Sequence, residues 1–481
     1  MPLESRVRAS EEEEEEEMVR IVLEDRAFQV SKRKLMEKSD YFRALYRSGM
    51  KECGEDSQQL HGLSPQGLEL VIGFIDSSQL SFPDESLQEL IEAASFLQVT
   101  RLLELLRAQV RLENCVRLHQ LAQTYGVGEL QATAAGFMAD HYHQMLRRAD
   151  FQLFPAAFRA HIREKRMRGT ATLLAVGNFL DSAVNLAHED KPWAMLKYDE
   201  ASQRWQALTN NLPPAMVNVR GYGSVVLDNY LFIVGGYRVT IQEISAAHCY
   251  NPCRNEWSQI VPMNQKRSNF KLLAVNGNLY AIGGQSLSNV ECYSPEHDTW
   301  TLVAPLPGPL AEFSACECQG KIYVVGGYTT RGRNLSILQY CPTANAWTVL
   351  GLCGFHIRKQ QMLSLEDTIF LVGGCIHYLE PNQEPTQREN ILTLQSYNTA
   401  TQEWVCLKEN TSKSGLNLTC TLHNDGIYIM SRDVTTSTSL EHRVYLKYNI
   451  FTNAWESFRR IKFIGQNMAV CSLYLPNDLE M

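Results

Sequence analysis

The residues best able to do chemistry in this chain are its 13 cysteines and 12 histidines. A structural zinc site would need Cys or His ligands grouped at short, paired spacings. Cys249 and Cys253, or Cys316 and Cys318, lack such partners, and thiols buried in strands account for them better. His188, His248, His297, His356, His377 and His423 are scattered along the chain. No Walker loop, nucleophile elbow or HExxH motif occurs. No catalytic residue, metal or cofactor is therefore expected. The work must be done by surfaces, and the question becomes which elements build them.

Length and composition bound those elements. The 481 residues suggest two to four domains, and 44% hydrophobic with 20% charged residues is ordinary globular composition. No run approaches the ~20 apolar residues of a membrane-spanning helix. The charged N-terminus has no apolar core of a signal peptide, so the cysteines are expected to be reduced. The net charge is −8, and the seven glutamates Glu11–Glu17 account for all of it but one unit. The body is thus near neutral, which gives no basis for nucleic-acid binding, and residues 1–17 read as a solvated acidic tail.

A repeat organises the remainder. Six of the seven tryptophans lie seven residues after a tyrosine: Tyr198/Trp205, Tyr250/Trp257, Tyr293/Trp300, Tyr340/Trp347, Tyr397/Trp404 and Tyr448/Trp455. The Trp-to-Trp steps vary from 43 to 57 residues. A fixed local spacing within a variable period means a constant structural unit joined by loops of different length. Four units carry a double glycine after a short apolar run, ending at Gly236, Gly284, Gly327 and Gly374. In the first and last units Gly177-Asn178 and Ser431-Arg432 stand there instead. The apolar runs are short, rich in Val, Ile, Leu and Tyr, and bounded by turn residues, which is the pattern of strands. Four short strands form a small sheet that cannot bury both faces alone, so such sheets stack radially into a propeller. The aromatics are expected to fill the space between blades.

Double Gly, then Tyr, six residues and Trp resembles the kelch repeat, and the resemblance implies a six-bladed all-β propeller over 169–481. The segment Gln466–Tyr474 resembles the first strand of a blade with no blade after it, while the first unit begins without one. The C-terminus is therefore expected to complete the first blade and close the ring. A copper oxidase site on such a propeller would need a Tyr, His and Cys constellation, which the spacing neither shows nor excludes.

Residues 18–112 have another texture. Met18 onward and Arg26 onward read as strands, Ser31–Glu52 as helical with Ser39 and Asp40 as cap candidates, and Leu87–Val99 and the run from Leu102 as helices. The blocks at 39–46, 90–99 and 49–52 resemble an α+β BTB/POZ domain. Asn114-Cys115, Ala122–Tyr125 and Phe137 resemble the start of a shortened α-helical BACK region over 113–168, with Arg159–Arg168 linker-like. BTB, BACK and kelch in that order resemble the kelch-like substrate adaptors of cullin-3 RING ubiquitin ligases, and blocks at 218–224, 266–272, 356–361 and 414–420 match one family member closely.

That resemblance implies a non-catalytic adaptor that binds cullin-3 through its BTB domain and a protein substrate through its propeller. Met50, Glu52, Tyr41 and Tyr46 are the implied cullin contacts, with Phe42 in the core. The implied substrate contacts lie ahead of each first blade strand: Arg220 and Tyr222, Arg267 and Asn269, Glu312 and Phe313, Arg358 and Gln360, then Asn417 and Asn467. Several arginines at one mouth would suit an acidic or phosphate-bearing peptide, but they could equally cap strands, and Glu312 opposes a purely anionic ligand. The stretch Cys375–Asn390 is a second candidate surface or a solvated insertion. A BTB homodimer is a further implied partner, although only 17 residues precede the first strand where the family usually has an exchanged helix and strand. The expected location is the cytoplasm, with cytoskeleton or spindle as refinements and a cytoskeletal or mitotic regulator as substrate. A kelch scaffold without ligase coupling is the alternative.

Overall fold

The computed structural model describes residues 17–48, 57–181, 193–209, 212–238, 242–358, 360–378, 387–388, 392–410, 418–432 and 442–477. They divide into two units, one running to Ile162 without 146–148, the other formed by those three residues and everything from Arg163.

The first unit opens with Met18–Leu23 antiparallel to Arg26–Ser31. Ser57–Leu60 adds a parallel strand on the other side, an element whose polar SerGlnGlnLeu sequence gives no strand signal. The helical run from Ser31 is two helices, Lys32–Lys38 and Asp40–Arg47. Ser39 breaks it in an extended conformation, φ −125°. Its hydroxyl accepts from the Phe42 N–H at 3.2 Å and donates to the Leu97 carbonyl at 2.6 Å, capping one helix while fixing it to a distant segment. Pro65–Ser77, Leu87–Phe96 and Thr100–Ala108 follow, then Cys115–Thr124 and Gly128–Asp140. Phe42, Ile21, Leu35, Leu68, Leu90 and Leu97 share one core, all fully buried. The stretch expected to be linker instead begins in the helix Ala156–Lys165.

The second unit is a ring of six four-stranded antiparallel blades. Blades 2 to 4 are continuous in sequence: Gly223–Leu227 to Glu256–Ile260, Lys271–Val275 to Thr299–Val303, and Ser314–Cys318 to Ala346–Leu352. Blade 5 runs from Gln361–Leu365 to Trp404–Cys406. Blades 6 and 1 merge into one seven-stranded sheet. The strand Ala454–Leu475 is the reason: its first part is the outermost strand of blade 6, against His442–Asn449, and its second part pairs with Thr170–Asp181 as the innermost strand of blade 1. Without a double glycine to turn the chain, strands at this junction run on. Successive innermost strands are neighbours all the way round, and the circle closes between Ala454–Leu475 and Gly223–Leu227.

The seven-residue spacing has a simple geometric meaning. In every blade Tyr and Trp face each other across the hairpin of the two outer strands. Their ring centroids lie 4.8 to 5.4 Å apart. The tip of the hairpin needs a left-handed residue, supplied by Asn255, Asp298, Asn345 and Asn453 with φ between 47° and 51°. The Tyr hydroxyl donates to that side chain, at 2.9 Å for Tyr250 and 2.7 Å for Tyr293 and Tyr340. Trp300 and Trp347 each donate from the indole N–H to a carbonyl just past the preceding blade, Val261 at 2.8 Å and Ala304 at 2.9 Å. One aromatic pair thus sets the hairpin, and its indole stitches blade to blade.

The double glycines all have positive φ. A Cβ on Gly327 would lie 2.4 Å from the Ala311 carbonyl oxygen, and one on Gly326 2.2 Å from that of Ile357. Gly327→Ala is expected to destabilise the propeller by about 2–4 kcal/mol, summing a left-handed alanine and a backbone clash. Gly351→Ala, at a glycine with nothing within 4 Å, leaves the midpoint unchanged in the same thermal-unfolding series.

Candidate functional site

Each innermost strand is preceded by a short lead-in segment, and the glycine pairs decide where it lies. The first glycine of a pair abuts the next blade's lead-in: Gly235 meets the Arg267 carbonyl, Gly283 the Phe313 ring and Gly326 the Ile357 carbonyl. The second abuts its own blade's: Gly236 meets Val219 and Arg220, Gly284 Ser268, Gly327 Ala311, and Gly374 Arg358 and Gln360. The residue after the pair then pairs by backbone with that lead-in, as Arg220 does with Tyr237 and Ala311 with Tyr328. Gly221, Asn269 and Glu312 occupy the same left-handed position, φ 61°, 52° and 54°. The lead-ins therefore converge, and they enclose the mouth of a channel cavity of about 830 Å³.

Six residues expected at this mouth line it: Arg220, Tyr222, Asn269, Glu312, Phe313 and Gln360. Their surroundings differ. Arg220 is exposed. Phe313 is 2% exposed and packs in the core between blades 3 and 4. Desolvation raises the Tyr222 phenol above its ordinary range. Gln360 is fully buried, and among the described residues neither atom of its amide has a hydrogen-bond partner. A buried, unmatched amide atom costs about 1–3 kcal/mol, which makes this side chain the anomaly of the cavity wall.

Two expected residues do not line the cavity. Arg267 is buried at 0% and pairs with the equally buried Glu291 at 2.7 Å. Its guanidinium also donates to the Gly283 carbonyl at 2.8 Å and the Asn289 carbonyl at 3.2 Å. Glu291 accepts further bonds from the Asn264 and Gln265 N–H groups. Arg267 holds its lead-in to its blade and offers nothing to a ligand. Arg358 turns instead to Glu312, 3.7 Å away. Asn417 lies outside the described residues, as does the side chain of Asn467, whose backbone is in Ala454–Leu475. Cys375–Tyr378, expected in a long loop, is a strand paired with Phe355–Arg358 and with Gln387–Arg388.

Sequence reasoning missed Lys271, Gln361, Thr419 and Arg443, which also line the cavity. Lys271, Gln361 and Thr419 are the first residues of the innermost strands of blades 3, 5 and 6. The repeat alignment already marked that position; the notice went to the residues before it. Lys271 makes no hydrogen bond or ion pair among the described residues, and desolvation holds its ammonium pKa below the ordinary 10.5.

On the other unit, Tyr41 and Tyr46 lie on Asp40–Arg47, both half-buried against the core. The Tyr41 ring is 5.4 Å from that of Phe96, which is 44% exposed. Met50 and Glu52 lie outside the described residues. Among the described residues no three His, Cys, Asp or Glu are grouped to hold a metal ion, and no helix is long and apolar enough to cross a membrane. Cys249, Cys316 and Cys318 are buried thiols on strands, whereas Cys253 is half-buried in a hairpin turn.

A BTB domain followed by a kelch propeller defines a class of two-module proteins. The BTB/POZ domain family matches residues 9–133, and the kelch motif matches 219–264, 266–307 and 309–351. The chain belongs to the kelch-like protein family. It is 60% identical to kelch-like protein 42 of Homo sapiens, over 97% of this chain and 99% of that one. The Mus musculus kelch-like protein 42 is 61% identical over the same shares. Kelch-like protein 26 of Danio rerio is 26% identical over 80% of this chain and 70% of its own.

Arg267 and Lys271 should separate on substitution. Arg267→Met strands Glu291 and is expected to cost about 3–5 kcal/mol. Lys271→Met removes a desolvated, unpaired charge and should not lower stability. Because the folded-state pKa of Lys271 is depressed, the unfolded chain binds more protons just below pH 10.5, so wild-type stability gains with rising pH there. Lys271→Met abolishes that contribution, read as the wild-type minus variant difference in unfolding midpoint across the alkaline range.

Proposed function

We propose that the chain is a non-catalytic substrate adaptor of a cullin-3 RING ubiquitin ligase. The BTB domain binds cullin-3, the propeller mouth holds a protein substrate, and the work is proximity: the substrate is brought near a ubiquitin-loaded enzyme at high effective concentration. The observation that carries this reading is a BTB domain on the same chain as a propeller whose lead-ins enclose a large polar cavity.

The cullin surface would combine Met50 and Glu52 with Tyr41 and Tyr46. Met supplies an adaptable apolar contact, Glu a rim charge, and the Tyr41–Phe96 pair a partly exposed aromatic surface. The substrate surface would use Arg220, Tyr222 and Asn269, together with Asn417 and Asn467. Domain limits of 18–112 for BTB, 113–168 for the BACK-like helices and 169–481 for the propeller suit this division of labour. Cytoplasmic action on a cytoskeletal or mitotic regulator is the accompanying expectation.

Titration calorimetry of the full chain against the cullin-3 N-terminal domain tests the first half. Binding is expected, and Met50→Ala with Glu52→Ala should weaken it at least about tenfold, the loss of an interface anchor. A folded chain that takes up no cullin-3 would sink the ligase reading and leave a kelch scaffold.

A further inference from the structure

The outer rim of the propeller falls into two arcs. The outermost strands of blades 1, 2 and 6 carry charge: Arg204, Glu256, and Glu456 with Arg459, Arg460 and Lys462. Those of blades 3, 4 and 5, Thr299–Val303, Ala346–Leu352 and Trp404–Cys406, carry none. On this uncharged arc Leu302, Val349, Leu352 and Val405 are each more than half exposed. One exposed aliphatic is ordinary, but four on successive edges mark an interaction surface.

Blade 4 has the least guarded edge of the three. Ala346–Leu352 is terminal in its sheet, and no strand among the described residues pairs with its outer side. Its seven residues exceed the five of blade 3 and the three of blade 5. The stretch 334–357 around it holds no Asp, Glu, Lys or Arg. The whole outer hairpin therefore lacks the charges with which natural edges turn a stray strand away. A bulge at Leu350 interrupts the strand, but Ala346–Val349 keeps regular register with Leu338–Cys341. A Cβ built on Gly351 would meet nothing within 4 Å.

We propose that this edge pairs with the same edge of a second copy of the chain, antiparallel about a twofold axis, joining two propellers rim to rim. Near the axis each residue faces its own symmetry mate or a close neighbour of it, so a charged strand would meet like charge. Arg204 of blade 1 or Glu256 of blade 2 would be set against its own sign. Trp347, Thr348 and Val349 meet only uncharged side chains. The flanking edges of blades 3 and 5 are uncharged as well, so a second ring approaches this arc without repulsion. The contact is separate from any BTB homodimer. One edge buries less than a standard interface, so the association is weak and depends on concentration.

Sedimentation velocity of the full chain tests this from about 1 to 200 μM, the range in which a small interface fills. A species of twice the dilute mass is expected to appear as concentration rises. Val349→Lys and Val349→Glu should each abolish it, and an equal mixture of the two should restore it, because opposite charges then face each other across the axis. Gln259→Lys, on the exposed face of the blade 2 edge, should leave it unchanged. Thermal unfolding of each variant confirms that the ring is intact. A chain that gains no such species, or one whose species survives both Val349 variants, overturns the inference; the second result assigns association to another surface. Loss in both variants without recovery on mixing would overturn self-pairing as well.

Discussion

At Gly326 and Gly327 the backbone turns with φ of 70° and 78°, and carbonyl groups from two blades approach within distances that no Cβ tolerates. This close passage recurs at the other glycine pairs, and the rest of the propeller mouth depends on it. A glycine that touches the next blade fixes the spacing between blades; one that touches its own lead-in fixes where that lead-in enters the channel. The left-handed residue in the lead-in, Asn269 or Glu312, itself lines the channel. The cavity is a by-product of backbone packing, which is why its lining can vary from blade to blade while its shape is kept.

The propeller was legible because its signals are local. Tyr and Trp seven residues apart are cross-strand partners on one hairpin, a relation that needs no knowledge of the ring. The closing strand was legible by subtraction: Gln466–Tyr474 had no blade to follow, and Thr170–Asp181 had no inner strand. Helices of the first unit were legible from their patterning, and the BTB reading came from the resemblance of whole blocks. Ser39 was legible as a cap, though not its bond to the Leu97 carbonyl, 58 positions away. One element did not show. The strand Ser57–Leu60 is polar and derives its conformation from its neighbour Met18–Leu23.

The site was legible in position and not in role. The lead-ins were located correctly by counting back from each inner strand, yet nothing in ArgSerAsn distinguishes an arginine that faces the lumen from one that turns inward. Arg267 turns inward because Glu291 on a neighbouring strand of the same blade receives it, a pairing fixed only once the sheet forms. Lys271 comes four residues later, at the start of the innermost strand, and lines the channel. Arg166, read as part of a basic linker, is wholly buried: its guanidinium donates to the Asp228 carbonyl at 2.7 Å and lies 3.6 Å from the Tyr230 ring. A cation that lies over an aromatic ring reads as solvated until that ring is placed beneath it.

The sharing of blade 1 between the two ends of the propeller sets an order of events during synthesis. Three of its strands, Thr170–Asp181 to Arg204–Thr209, leave the ribosome first, and the strand that pairs with them ends at Leu475. Asn229 of blade 2 waits as well, since its side chain clamps both the N–H and the carbonyl of Tyr474. While the rest of the propeller is being made the growing chain carries an unpaired inner edge, the kind of surface that recruits stray strands. Without Ala469–Leu475 that edge would stay open along Thr170–Val176, so this one strand seals the ring.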